Sequence, residues 1–154
     1  MLHVTCFVIY LGADHRGYNL KEKIKGWLAE WGFQHEDIGP FEYNKDDDFP
    51  DFGQAVGEKV SKDAGSRGVV ICGSGIGIGV AANKIKGIRA GTAGHPAQAE
   101  SAVHDEDMNV LSLSADFTTE DEAKEIVRAF VNAKFGSEER YNRRLEKIKK
   151  LEND

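Results

Sequence analysis

The stretch at residues 69–84, VVICGSGIGIGVAANK, leaves the chain little freedom in how it folds. A continuous apolar run of β-branched residues ends at Cys72. Such a run, bounded by turn residues, reads as a strand buried on both faces. Gly73, Gly75, Gly77 and Gly79 then alternate with other residues, and an Ala-rich segment follows. This predicts a strand over 68–72, a glycine turn and a helix over 76–85. A strand buried on both faces needs helices above and below its sheet, so the block points to an α/β fold.

The rest of the chain keeps the same rhythm. Residues 4–11 form an apolar run rich in β-branched and aromatic side chains, a first strand with Cys6 inside it as an inert buried residue. After the loop GADHRG (12–17), Leu20, Ile24, Trp27, Leu28 and Trp31 recur with helical spacing, and Gly32 stops that helix. Strands are predicted over 33–38, 88–92 and 109–113, and helices over 52–60 and 96–103. Thr119 and Glu122 make a capping box for a helix whose inner face is Ala123, Ile126, Val127, Phe130 and Val131. The charged tail at about 137–150 has helical propensity. The long polar loop GPFEYNKDDDFPD (39–51) is a candidate for function because of its length. Together these elements predict one domain over 1–154, a doubly wound five-stranded parallel sheet with helices on both faces and strand order 2-1-3-4-5. In such a sheet ligands bind at the carboxyl ends of the strands, at the switch point between the first and third. GADHRG and CGSGIG leave those two strands, so both loops should face one crevice.

Bulk numbers narrow the function classes. A formal net charge of −6 gives a nucleic-acid partner no global support, while a small anion remains compatible with a local field. The two cysteines, Cys6 and Cys72, form no CxxC pair, which excludes a disulfide scaffold and a Cys-based zinc site and suits a reducing, cytoplasmic location. The apolar start is too short to span a membrane and lacks the flanks of a signal peptide, so no membrane partner is expected. No His/carboxylate spacing suggests a metal, and neither a metal nor a cofactor is expected.

The glycine turn is where chemistry is expected. A strand-to-helix turn aims backbone N–H groups at one point, and the helix N-terminus adds partial positive charge. Such a place holds an anion, and it favours a thiolate. A thiolate at Cys72 beside those donors could remove a carbon-bound proton while they hold the developing oxyanion, with the Ser74 hydroxyl added to the set. The plain alternative for Cys72 is a buried small hydrophobe at a strand end, and the sequence leaves both readings open. Familiar motifs fail here. A dinucleotide GxGxxG from Gly73 would need glycine at Ile78, GxSxG would need glycine at Cys72 and Ile76, and no GxxxxGK[ST] occurs.

Asp14 and His15, in the loop after the first strand, could orient a hydroxyl or move protons near neutral pH; the plainer reading of Asp14 is a helix cap. Arg140 and Arg144 share one face of the tail helix, either as a phosphate-binding pair or as a solvated face.

GADHRGYNLKEKI, DFPDFG, GVVICGSGIGIGVAANKIKGIRA, NVL and ERYNRRLEKI, in this order over most of the chain from Ile9 onward, resemble the type B ribose-5-phosphate isomerases and the related galactose-6-phosphate isomerase subunits. The resemblance implies a Rossmann-like domain and a homodimer, with assembly into tetramers left open. It implies a metal-free aldose–ketose isomerase acting on a phosphorylated sugar, first of all ribose 5-phosphate and ribulose 5-phosphate. It makes Cys72 the base that moves a proton between C1 and C2 through an enediolate. Ser74 and the amides at Gly73, Gly75 and Gly77 would hold substrate oxygens. Asp14 and His15 would contact sugar or phosphate, and Arg140 and Arg144 would bind phosphate across a subunit interface. Asn83 belongs to the motif without an assigned role.

The chain departs from the family pattern twice. A His-Asn pair that opens the sugar ring and steadies the enediolate usually precedes the fifth strand. Counted back from NVL, Asp105 and Glu106 stand there, with His104 one residue early. Either His104 shifts into the role, or Asp105 does the acid–base work, or ring opening is weak. A phosphate-binding arginine is also usual where Asp116 stands, and a carboxylate there repels phosphate. These departures keep two alternatives in view: isomerisation of another, for example six-carbon, sugar phosphate, or sugar-phosphate binding without turnover.

Overall fold

The structure is a computed structural model, and it describes residues 7–153. Five parallel strands form one sheet: β1 (Val8–Ala13), β2 (Gln34–Gly39), β3 (Arg67–Cys72), β4 (Ala90–Thr92) and β5 (Val110–Ser114). Between and after them lie α1 (Tyr18–Glu30), α2 (Phe49–Ser61), α3 (Ile76–Asn83), α4 (Pro96–Glu106), α5 (Glu120–Asn132) and α6 (Glu139–Leu151). The first predicted strand runs to Ala13, two residues beyond its predicted end. Its predicted start at residues 4–6, with Cys6, lies outside the described residues. The second helix begins at Phe49 because Pro50 fits a helix's first turn, where a missing N–H costs nothing.

Alternating side chains on β1, β3 and β5 split the interior in two. Ile9, Leu11, Val69, Ile71, Leu111 and Leu113 pack with α1, α4 and α5. Tyr10, Val70, Cys72 and Val110 pack with α2 and α3 on the other face. All five predicted inner-face residues of α5 are buried. Thr119 caps that helix by accepting from the Glu122 backbone N–H at 3.2 Å.

The strand order is β2-β1-β3-β5-β4, which corrects the expected 2-1-3-4-5. Burial gives the reason. Every residue of β5 is buried, so β5 needs a strand on each side, whereas β4 is only three residues long and partly exposed, which suits an edge. The switch between β1 and β3 is unaffected: the chain leaves β1 toward β2 on one side and leaves β3 toward β4 on the other.

Candidate active site

The two predicted loops do meet. Asp14 donates its backbone N–H to the Ile71 carbonyl at 3.1 Å, and a Cβ on Gly17 would fall 2.6 Å from that same oxygen. The loop after β1 is therefore pressed against the end of β3.

At that end Cys72 is 4% exposed, and its Sγ accepts the Gly75 N–H at 3.2 Å. Gly75 has φ +78°, and a Cβ there would sit 2.8 Å from the Leu113 carbonyl carbon, so the turn needs glycine at that position. Ser74 Oγ accepts the Ile76 N–H at 3.1 Å, which leaves its own proton available to donate. Among the described residues the N–H groups of Gly73 and Ser74 take no partner within the protein. Gly77 lies in the first turn of α3 against the ring of Phe49, 2.8 Å from where its Cβ would be. Asn83 closes the far end of α3, exchanging two hydrogen bonds with the Ala90 backbone, which is a structural role.

β5 holds this turn in place, which the sequence reading missed. The Ser114 hydroxyl donates to the Gly73 carbonyl at 2.7 Å, and the Ser112 hydroxyl donates to the Gly75 carbonyl. Serines inside an apolar strand were the available signal, since a buried hydroxyl must find a partner.

Asp14 is 4% exposed, and its Oδ1 accepts from the N–H groups of Arg16 and Gly17 at 2.9 and 3.1 Å, so it closes the loop turn, whereas the N-cap position of α1 is Gly17 and has no side-chain cap. His15 is held by Asp47 from the long loop, with Nδ1 and Oδ1 2.8 Å apart. That hydrogen bond raises the His15 pKa; burial opposes it, and the charges of Asp14 and Asp47 reinforce it. The other Asp47 oxygen is buried without a partner. Tyr43 lies edge-on to His15, with ring centroids 6.4 Å apart, so the loop covers the crevice beside His15. Arg16 pairs with Asp116 at the crevice mouth. Arg16 stands in the GADHRG loop and Asp47 in the long polar loop, but neither was singled out within its stretch.

His104, Asp105 and Arg140 gather elsewhere. His104 Nδ1 lies 2.7 Å from Asp105 Oδ1, which holds the Asp105 carboxyl below its ordinary range. The His104 ring stands edge-on to Tyr141, and its carbonyl accepts the Gly136 N–H at 2.9 Å. Arg140 donates to the Tyr141 hydroxyl at 3.0 Å and pairs with Glu138, and these raise its pKa. Arg144 is exposed on α6. This group lies at the amino end of the sheet. Its neighbouring segment is anchored by Arg67, the first residue of β3, which donates to the Ala133 carbonyl at 2.7 Å. Cys72 is the last residue of the same strand. A six-residue strand spans about 20 Å, so one chain does not bring His104 or Asp105 to Cys72.

The family described as Ribose/Galactose Isomerase matches residues 9–148. The chain belongs to that family. Among ribose/galactose isomerases, it is 38% identical to the probable ribose-5-phosphate isomerase B of Mycoplasma genitalium, over 96% of this chain and 97% of the relative. It is 36% identical to ribose-5-phosphate isomerase B of Mycobacterium tuberculosis, over 94% and 89%. The crystal structure of the Mycoplasma genitalium ribose-5-phosphate isomerase B with bound ribulose-5-phosphate superposes with a TM-score of 0.93 at 37% identity, over 97% of this chain and 99% of that one. The Rossmann-like fold and the class of sugar-phosphate isomerase thus agree with the expectation from the motifs. In this ribose/galactose isomerase Asp116 lies beside the glycine turn, whereas Asp105 lies with His104 at the other end of the sheet.

Proposed function

We propose that the protein interconverts ribose 5-phosphate and ribulose 5-phosphate, with Cys72 as the base. The observation that carries this reading is the placement of the Cys72 sulfur, buried at the end of β3 and 3.2 Å from the Gly75 N–H, inside a turn whose Gly73 and Ser74 N–H groups are unengaged among the described residues. In the open-chain aldose the thiolate takes the proton from C2. The electron pair forms the C1–C2 double bond of an enediolate, whose oxygens receive hydrogen bonds from the free amides and the Ser74 hydroxyl. As that bond forms, the C1 carbonyl pair moves to O1; the O2 proton then passes to O1, and return of the thiol proton to C1 leaves C2=O and regenerates the thiolate, giving the ketose. His15, whose protonated form is favoured by its hydrogen bond to Asp47, faces the anionic substrate.

The phosphate and ring-opening groups come from a second copy in this reading. Arg140 and Arg144 bind the phosphate, and His104 with Asp105 assists ring opening, across the interface of a homodimer. The separation of the two groups along the sheet supports it, as do Ile76 and Val80, 56% and 53% exposed on α3 beside the turn. These apolar side chains suit a partner's surface. A cytoplasmic location belongs to the same reading.

The test compares wild type and Cys72→Ala on ribose 5-phosphate, without added metal. Loss of about 10²–10⁴-fold in kcat with an unchanged fold is expected for a proton-transfer base. Comparable turnover in the variant would sink the assignment of Cys72.

A further inference from the structure

We infer that Arg16 is a further substrate-binding residue, which adds a positive charge for a phosphate monoester at the crevice mouth to those of Arg140 and Arg144, with Asp116 as the carboxylate that positions it. This rests on the sugar-phosphate reading above.

The backbone of Arg16 is fixed. Its N–H donates to Asp14 Oδ1 at 2.9 Å, and the next residue, Gly17, lies tight against the Ile71 carbonyl. Its side chain reaches across the glycine turn. A Cβ placed on Gly73 would fall 2.9 Å from both Cζ and Nε of Arg16, and 2.9 Å from Asp116 Oδ2. The guanidinium therefore lies directly over the residue that follows Cys72, and glycine at 73 makes room for it.

Asp116 is fixed from the other side, by its backbone N–H to the Gly73 carbonyl at 3.0 Å, and its carboxylate takes one nitrogen of the Arg16 fork. A guanidinium has five donors in one plane. Among the described residues Nε and the other terminal nitrogen of Arg16 have no partner, and the side chain is 57% exposed. The pair is thus a cation oriented by a carboxylate, with its remaining donors open to a ligand.

Charge balance gives Arg16 a second task. Asp14, Asp47 and Asp116 all lie at this mouth. His15 faces Asp47, so Arg16 is the cation that masks Asp116. Removing Arg16 deletes a phosphate donor and also uncovers a carboxylate beside the turn. Removing both charges restores the balance without the donors.

The experiment measures binding of inorganic phosphate by calorimetry, and steady-state kinetics on ribose 5-phosphate, for wild type, Arg16→Gln, Arg16→Lys and Arg16→Gln/Asp116→Asn. Arg16→Gln is expected to weaken phosphate binding and raise KM by about tenfold or more, with kcat changed less than about threefold. Arg16→Lys, which keeps the charge but not the fork, recovers part of the loss and shows that the site still folds. The double variant binds phosphate better than Arg16→Gln alone. Phosphate binding and KM within about twofold of wild type in Arg16→Gln would overturn the inference, as would a fall in kcat with KM unmoved. If wild type binds phosphate through Arg16 but does not turn over ribose 5-phosphate, the substrate reading fails and the role of Arg16 as an anion ligand stands.

Discussion

Asp47 holds His15 twice through a single oxygen: Oδ1 lies 2.8 Å from the His15 backbone N–H and 2.8 Å from its Nδ1. The backbone bond ties the long loop to the crevice, and the side-chain bond fixes the ring, leaving Nε2 as the nitrogen available to a ligand. Because Asp47 stabilises the protonated ring, the His15 pKa is raised. Its contribution to stability is therefore complete below the ordinary histidine value of about 6.5 and fades as pH rises through the raised value. Asp47→Asn keeps the shape and removes the charge. The His15 imidazole, followed by NMR, should titrate at lower pH in that variant, and the pH at which KM for ribose 5-phosphate begins to rise should fall with it. An unmoved titration would leave Asp47 as a loop anchor only.

Gly75 ties the geometry of the turn to a single backbone conformation. Gly75→Ala must place a methyl 2.8 Å from the Leu113 carbonyl carbon at a φ of +78°. The left-handed conformation alone costs about 1–2 kcal/mol for an L-residue, and the backbone contact adds to that. Denaturant unfolding should show a loss of at least this size, accompanied by loss of isomerisation, because the same N–H that binds the Cys72 sulfur has to move.

The separation of Cys72 from His104 and Arg140 makes a test of shared sites straightforward. Cys72→Ala and Arg140→Ala/Arg144→Ala chains, each inactive or weak alone, are mixed after unfolding and refolding. If a second copy completes the site, half of the dimers carry one intact site, and about a quarter of wild-type activity returns. Activity that stays at the level of the separate variants would confine each site to one chain.

Lys21 is fully buried, with its ammonium 2.7 Å from Asp37 and 2.9 Å from the Pro40 carbonyl at the start of the long loop. Burial pushes the Asp37 carboxyl upward, but the hydrogen bonds from Lys21, Lys25 and the Gly39 N–H outweigh it and hold its pKa below the ordinary range. The stability Asp37 contributes is thus present above about pH 4 and is lost as pH falls through the lower folded value. Lys21→Ala leaves a half-buried carboxylate with one cation fewer, and unfolding at neutral pH should show a loss of about 3–5 kcal/mol. A loss under about 1 kcal/mol would mean that Lys25 suffices.

The sequence by itself determined the strands, the helices and the glycine turn, because each is written in local terms. Buried strands show as apolar runs, the amphipathic α5 shows as helical spacing, and four alternating glycines after a cysteine admit few conformations. The meeting of the loop that carries Asp14 and His15 with the one that carries Cys72 and Ser74 was legible for the same reason, since a doubly wound sheet brings those two loops together. Only the tertiary structure decided the rest. Whether β4 or β5 lies beside β3 depends on which strand is covered on both edges, and that choice puts Ser112 and Ser114 under the turn. Lys21 hides in a helical pattern that looks apolar at other positions, because its partners Asp37 and Pro40 come from across the chain. Arg16 and Asp116 are 100 residues apart and meet only over Gly73, and His104 is near Cys72 in strand order yet at the other end of the sheet. Long-range pairing of charges depends on distances in space, which local spacing does not encode.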